Sequence, residues 1–230
     1  HTHTHTHIHT HTQEKLARMA SDTYANESLA YMTTGMIDRG DPSCEVEAAV
    51  CKVFGSEKSF LAINEAIQIF GGMGFMKDYP FERLMRDCRI LSIFEGTNEI
   101  LRLMIALTGM RGAGERLTEL GKMAKNPLAD PFGAVGEVRS RIGDKIAPSP
   151  IAAIHPSLKK YGDNLRRHTV DFGGAVEGLL MKHKKEIMHE QFQLQRVADC
   201  VIDMYAATAC LSRASGVANE GLPSAGEVSE

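Results

Sequence analysis

Apolar residues in this chain recur at gaps of three, four and seven, and they alternate with polar ones over no useful length. That pattern restricts the chain to helices packed on helices, because such spacing puts a stripe on one face of a 3.6-residue turn. Leu16, Met19, Ala20, Tyr24, Tyr31 and Met32 form the first stripe, after Gln13. Gly40-Asp41-Pro42-Ser43 interrupts it. Ser43 is placed to cap a second helix, with Glu45 and Glu47 in its first turns, where the helix dipole favours acids. That helix carries Ala49, Val50, Val53, Phe54, Leu61, Ile67 and Phe70, and should stop at Gly71-Gly72-Met73-Gly74. A short segment from Phe81 to Ile93 follows, with Arg83, Arg86, Asp87 and Arg89. Thr97 is placed to cap a helix from Asn98 to about Met110. Its expected buried side is Ile100, Leu101, Met104 and Leu107, and Gly109, Gly112 and Gly114 are expected to end it.

The pattern then changes. Between residues 113 and 155, Pro127, Pro131, Pro148 and Pro150 punctuate a mixed stretch that reads as a linker, with one short amphipathic helix around Phe132 to Ile146. Helical spacing resumes near Leu158 and is strongest from Val176 to Ser215. The expected fold is all-α: a helical bundle over 13–112, a linker over 113–155 and a second helical domain over 156–230. The second domain carries no glycine loop and no carboxylate cluster that would suggest chemistry. The polar tail Gly221-Leu222-Pro223-Ser224-Ala225-Gly226 and a start at His rather than Met read as cuts, so the second domain is expected to be truncated.

Residues 1–12 alternate His and Thr, with Ile8 as the single exception. A His-rich tract can bind metal. A CA dinucleotide repeat read in triplets also encodes His-Thr without end, and one base change gives Ile8. On that account the tract lies outside the fold. No metal site is expected elsewhere: Cys44, Cys51, Cys88, Cys200 and Cys210 are odd in number and lack Cys-x-x-Cys spacing. Reduced thiols in the helices of an intracellular protein are the expectation. A net charge of −3 argues against nucleic acid as a partner. No apolar run is long enough to span a bilayer.

Chemistry concentrates at Glu95. A lone Glu is ordinarily a solvated surface charge. Glu95, however, follows the apolar pair Ile93-Phe94 and precedes Gly96, on a tight loop just before a helix start. Burial there would raise its pKa and suit it to take a proton from carbon. The nearby helix N-terminus favours anionic groups.

Three ordered motifs surround it. Gln68-Ile69-Phe70-Gly71-Gly72-Met73-Gly74 is followed by Arg86-Asp87-Cys88-Arg89 and then by Glu95-Gly96-Thr97, with 27 residues from Gln68 to Glu95. In this order and on a helical background they resemble the C-terminal helical bundle of the acyl-CoA dehydrogenases, over residues 13 to 112. The resemblance continues through Lys182-His183-Lys184-Lys185, Leu194-Gln195-Arg196 and Leu211-Ser212-Arg213, which look like the extra helical domain of the mitochondrial very-long-chain members. A sister that also assists assembly of respiratory complex I has that domain too. Asp78-Tyr79-Pro80 leans toward the sister and the Lys-His-Lys-Lys run toward the very-long-chain members.

The resemblance implies FAD-dependent conversion of a long-chain acyl-CoA to its trans-2-enoyl-CoA, the first step of mitochondrial β-oxidation. It implies Glu95 as proton acceptor, Gly96 beside the substrate, and Thr97, Asn98 and Glu99 against FAD. Gln68, Ile69, Phe70, Gly71 and Gly72 would touch the FAD of a partner subunit across a homodimer. It implies electron-transfer flavoprotein as the oxidant and a place on the matrix side of the inner mitochondrial membrane. Each motif has a plainer reading. Gly71 and Gly72 could only cap a helix, Thr97 could be both cap and ligand, and Arg86, Asp87 and Arg89 read as a solvated charge run or, preferably, a structural ion pair. Phe132 to Ile146, with Val135, Val138 and Ile142 among Arg139, Arg141 and Lys145, suits an interfacial helix or a flexible linker equally. Very-long-chain members often have Asp where Glu99 stands. The family's N-terminal helical and middle β domains have no counterpart here, so this chain is not expected to hold FAD alone. A complex I assembly factor and a non-functional fragment are the competing readings.

Overall fold

The computed structural model describes residues 10–41, 43–125 and 154–220, and they contain no strand. Among the described residues, seven α-helices carry the fold: α1 (Thr10–Asp38), α2 (Glu45–Phe70), α3 (Gly72–Phe75), α4 (Phe81–Arg89), α5 (Asn98–Lys125), α6 (Lys159–His183) and α7 (Gln191–Asn219). The chain divides into two compact units, residues 1–101 and 102–230, with the division inside α5.

In the first unit α1 and α2 pack antiparallel. Lys15 pairs with Glu65, Lys58 with Asp22 at 3.2 Å, and Thr33 Oγ1 meets Cys51 Sγ at 3.1 Å, so partners climb one helix as they descend the other. Their shared core is Leu29, Ala49, Val50, Val53 and Phe54, and it includes Ser28, whose hydroxyl is satisfied by Tyr24 O at 2.7 Å. Leu29 is fully buried, whereas Leu16 and Tyr31 of the expected stripe are exposed. Periodicity identified the helix, but packing chose a different seam.

Gly40 ends α1. Its N–H bonds Ile37 O at 2.9 Å and Asp41 N–H bonds Met36 O at 3.1 Å, the paired closure that a left-handed residue permits. The second helix is capped at Cys44, with no side-chain hydrogen bond, so the expected Ser43 cap is not formed. Its far end stops at Gly71 as expected. There α3 crosses the end of α2 so closely that a Cβ on Gly74 would sit 2.6 Å from Ile67 O. This second glycine is a requirement of packing. Phe81 then packs on Phe70, ring centroids 4.4 Å apart and the planes tilted by 42°, and returns α4 along α2. Arg86 closes on Glu82 through two bonds of 2.8 and 3.2 Å, while Arg89 bonds the Ser92 hydroxyl. That pairing holds the Glu82 carboxyl below its usual pKa.

In the second unit α6 and α7 form an antiparallel hairpin through a 3-10 turn, Lys184–His189. His155 N–H bonds Ser215 Oγ at 3.2 Å and ties the start of one arm to the end of the other. Leu165, Val176, Ile187, Leu194, Val197, Ala198, Ile202, Ala206 and Ala209 are buried there, as are Ile105, Ala106 and Met110 of α5. Arg102 Nε donates to Asp199 Oδ1 at 2.7 Å.

Helix α5 corrects three expectations. It runs through Gly109, Gly112 and Gly114, because none of these takes the positive φ that ends a helix; among the described glycines only Gly40, Gly71 and Gly96 do. The expected linker therefore begins inside a helix, with residues 113–125 still helical. Ile100 is 58% exposed and Leu107 36%, while Ile105, Ala106 and Met110 take the buried side. The first helix also takes in Thr10–Thr12, the last three residues of the His-Thr tract. Residues Phe132 to Ile146 and the tail from Gly221 lie outside the described residues.

Two outcomes are expected. Leu29→Ala removes a fully buried side chain and should cost about 2–5 kcal/mol, read as a lowered urea midpoint by circular dichroism. All five cysteines are free, Cys200 is exposed, and burial pushes the Cys88 and Cys51 thiols up. Iodoacetamide on the native chain should therefore label Cys200 first and Cys88 and Cys51 last, by peptide mass mapping; equal rates would contradict this packing.

Candidate active site at the Glu95 loop

A 3-10 turn, Ile90–Ser92, ends α4 and passes the chain to the loop that leads into α5. Phe94 N–H still bonds Ile90 O at 3.1 Å, and regular bonding resumes with Leu101 N–H on Thr97 O at 2.9 Å. Between them, two consecutive residues turn left-handed: Glu95 at φ 53° and Gly96 at φ 91°. Glycine takes such a conformation freely, whereas a residue with a Cβ pays roughly 1–2 kcal/mol for it. A strained non-glycine residue persists only where its surroundings over-determine it, and such residues cluster at functional sites.

What surrounds it is a hydrogen-bonded anchor from α2. Lys52 Nζ donates to Gly96 O and to Asn98 Oδ1, both at 2.8 Å. Asn98 is 2% exposed, and its Nδ2 donates to Ser56 Oγ at 2.9 Å and Glu57 Oε1 at 3.1 Å. Ser56 Oγ in turn reaches Val53 O at 3.1 Å. Thr97 caps α5 as expected, its Oγ1 accepting from Ile100 N–H at 3.4 Å. Burial pushes the Lys52 ammonium down in pKa, and the carboxylates of Glu95, Glu99 and Glu57 push it back up.

The expected burial of Glu95 is not present. Glu95 is exposed, and so are Ile93 and Phe94 beside it. The loop turns its apolar pair and its carboxylate outward together. The Asn98 carboxamide is turned inward and bonded to residues of α2. Glu99 is exposed at the first turn of α5.

The other expected cofactor residues sit elsewhere on α2. Gln68, Phe70, Gly71 and Gly72 are exposed at its C-terminal end and Ile69 is half-buried. Twelve residues separate Gln68 from Ser56, about 18 Å along the axis. The two groups are therefore not brought together. Around Gly71 and Gly72 a Cβ would meet nothing within 4 Å, so the backbone there is open to a flat ligand, while Phe70 is engaged with Phe81 and Tyr79.

Sequence reading missed Lys52, Ser56 and Glu57. Lys52 and Ser56 are one helical turn apart, but their partners lie 42 to 46 residues away, and no local signal marks such a pairing. No group of three or more His, Cys, Asp or Glu side chains suited to a metal occurs among the described residues. A groove of about 790 Å³ between α6 and α7, lined by Tyr161, Leu165, Phe172, Met204 and Leu211, belongs to the second unit. No helix among the described residues is long and apolar enough to cross a membrane.

Comparison with known proteins gives concordant results. Residues 5–110 match the acyl-CoA dehydrogenase C-terminal domain, and residues 156–229 match the ACAD9/ACADV C-terminal domain. The mitochondrial very long-chain specific acyl-CoA dehydrogenase of Rattus norvegicus is 48% identical over 93% of this chain, and that of Homo sapiens 46% over 93%. A probable acyl-CoA dehydrogenase of Bacillus subtilis is 32% identical over 94%. The chain spans about a third of the length of these relatives: 33%, 33% and 37%. Among solved structures, the acyl-CoA dehydrogenase from Bacillus anthracis complexed with FAD superposes with a TM-score of 0.69 at 30% identity, covering 93% of this chain and 37% of that one.

The left-handed glycine offers a direct check. At φ 91°, with Leu101 Cδ2 3.4 Å from the position a Cβ would take, Gly96→Ala should cost about 1–2 kcal/mol in urea unfolding. An unchanged midpoint would mean the loop does not need this conformation.

Proposed function

Because the chain belongs to the acyl-CoA dehydrogenase family, we propose that it is the C-terminal part of an FAD-dependent enzyme that converts long-chain acyl-CoA to trans-2-enoyl-CoA, with Glu95 as the proton acceptor. The observation that carries this reading is the loop itself: an exposed carboxylate held at positive φ and followed by a positive-φ glycine. A base that must reach carbon in a substrate needs a fixed and accessible carboxylate. Its exposure here fits a base whose water-excluding cover comes from substrate and from the two-thirds of the relatives' length that this chain does not span. Gly96 has no side chain to obstruct a ligand lying along the loop. The Glu95 backbone N–H has no partner among the described residues and is free to hold a thioester oxygen, where negative charge develops as the α-proton leaves.

FAD, when bound, supplies the acceptor for the β-hydrogen as hydride. Residues of this chain suit two separate contacts with it. The Thr97-Asn98-Glu99 segment offers a helix start. The Gln68-Ile69-Phe70-Gly71-Gly72 segment offers an open backbone about 18 Å away along α2. The second segment is proposed to meet the flavin of a partner subunit in a homodimer. Electron-transfer flavoprotein is the proposed oxidant of the reduced enzyme. The rat and human relatives are named mitochondrial, and a matrix-side position on the inner membrane is proposed with them.

The test joins this chain to the preceding two-thirds of the rat relative and follows palmitoyl-CoA oxidation with an artificial acceptor. Glu95→Gln, which keeps size but removes the base, should lower kcat by about 10²–10⁴-fold. Turnover equal to the unmutated enzyme would remove Glu95 from the reaction.

A further inference from the structure

Two left-handed residues in succession need something to hold them, and the loop's own backbone does not. Among the described residues, Glu95 and Gly96 have no backbone-to-backbone hydrogen bond; the Gly96 carbonyl is bonded only by Lys52. An ammonium has three donors, and Lys52 spends two of them at 2.8 Å, one on each side of Thr97. Charge-assisted bonds of this length are the strong ones. The far end of the clamp is rigid, since Asn98 is buried and fixed by Ser56 and Glu57 from the next turns of α2. The stem of Lys52 rises from the helix that carries Ala49, Val50 and Val53 into the core, so the charge is fixed to the best-packed element of the unit.

We propose that Lys52 is a positioning residue for the base loop: by bridging the Gly96 carbonyl to the Asn98 carboxamide it holds Glu95 in the left-handed conformation that aims its carboxylate. Lys52 bonds the Gly96 carbonyl and the Asn98 carboxamide rather than the Glu95 carboxylate. It acts through the backbone of Gly96. The consequence for the reaction rests on the reading of Glu95 as the base, whereas the consequence for loop rigidity does not.

The experiment separates the two. In the 230-residue chain, ¹⁵N relaxation of the Glu95, Gly96 and Thr97 amides is compared between the unmutated protein, Lys52→Met, which keeps an apolar stem without donors, and Lys52→Arg, which restores charge and donors. Order parameters near 0.85, typical of rigid backbone, should fall below about 0.6 in Lys52→Met and recover in Lys52→Arg, with helical circular dichroism unchanged. Should Lys52→Met lose its helical signal, Lys52→Gln is measured in its place with the same expectation. Order parameters in the donor-poor variant equal to those of the unmutated chain would overturn the clamp.

In the enzyme joined to the rat segment, Lys52→Met should lower kcat by about 10-fold or more with KM for palmitoyl-CoA within about 2-fold, because a displaced catalytic group costs rate rather than binding. Lys52→Arg should recover most of it. A loosened loop with unchanged kcat would overturn the positioning role. Full turnover in Glu95→Gln would instead remove the catalytic reading, and the relaxation data would still decide the clamp.

Discussion

A buried carboxamide has two donors and an acceptor to satisfy, and Asn98 satisfies all of them from a single helix, through Lys52, Ser56 and Glu57. The position of the Glu95 loop depends on this arrangement. The loop leaves a 3-10 turn with its hydrogen bonding exhausted and enters α5 with a side-chain cap from Thr97. In between, the hydrogen bonds to it among the described residues come from α2. An unpaired buried amide would cost about 1–3 kcal/mol, so the network is favoured as a set.

The same helix organises the rest of the first unit. One face of α2 packs against α1 through Val50, Val53 and Phe54. Its C-terminal end is crossed by α3 at Gly74 and covered by Phe81 from α4. Lys52 and Ser56 present the loop near its start, and Gln68 to Gly72 lie exposed near its finish. One rigid rod thus sets the separation between the two regions proposed to meet flavin. The exposed Ile93, Phe94 and Ile100 around the loop are the apolar surface that such a site keeps available.

Legibility differed by the range of the interaction. Helices α1 and α2 and the stop at Gly71 were readable because spacing and glycine chemistry act within a few residues. Thr97 was readable as a cap for the same reason. Gly109, Gly112 and Gly114 misled, because a glycine permits a helix end without requiring one, and burial of Ile105, Ala106 and Met110 kept α5 going. The expected seam of α1 was displaced to Leu29 because a helix with apolar residues on several faces can be seated in more than one way. The expected burial of Glu95 failed because apolar neighbours in sequence do not fix which way a loop faces.

By itself the sequence determined helices packed on helices, the order of three motifs that mark its family, and Glu95 as the carboxylate proposed as base. These are properties of residue type and short spacing, and they survive without knowledge of packing. Tertiary structure alone decided that Asn98 turns inward, that Glu95 turns outward at positive φ, and that Lys52, 44 residues before Gly96, holds the loop between them. A hydrogen bond across such a separation forms only when two helices have already packed, and its partners carry no mark of one another in the chain.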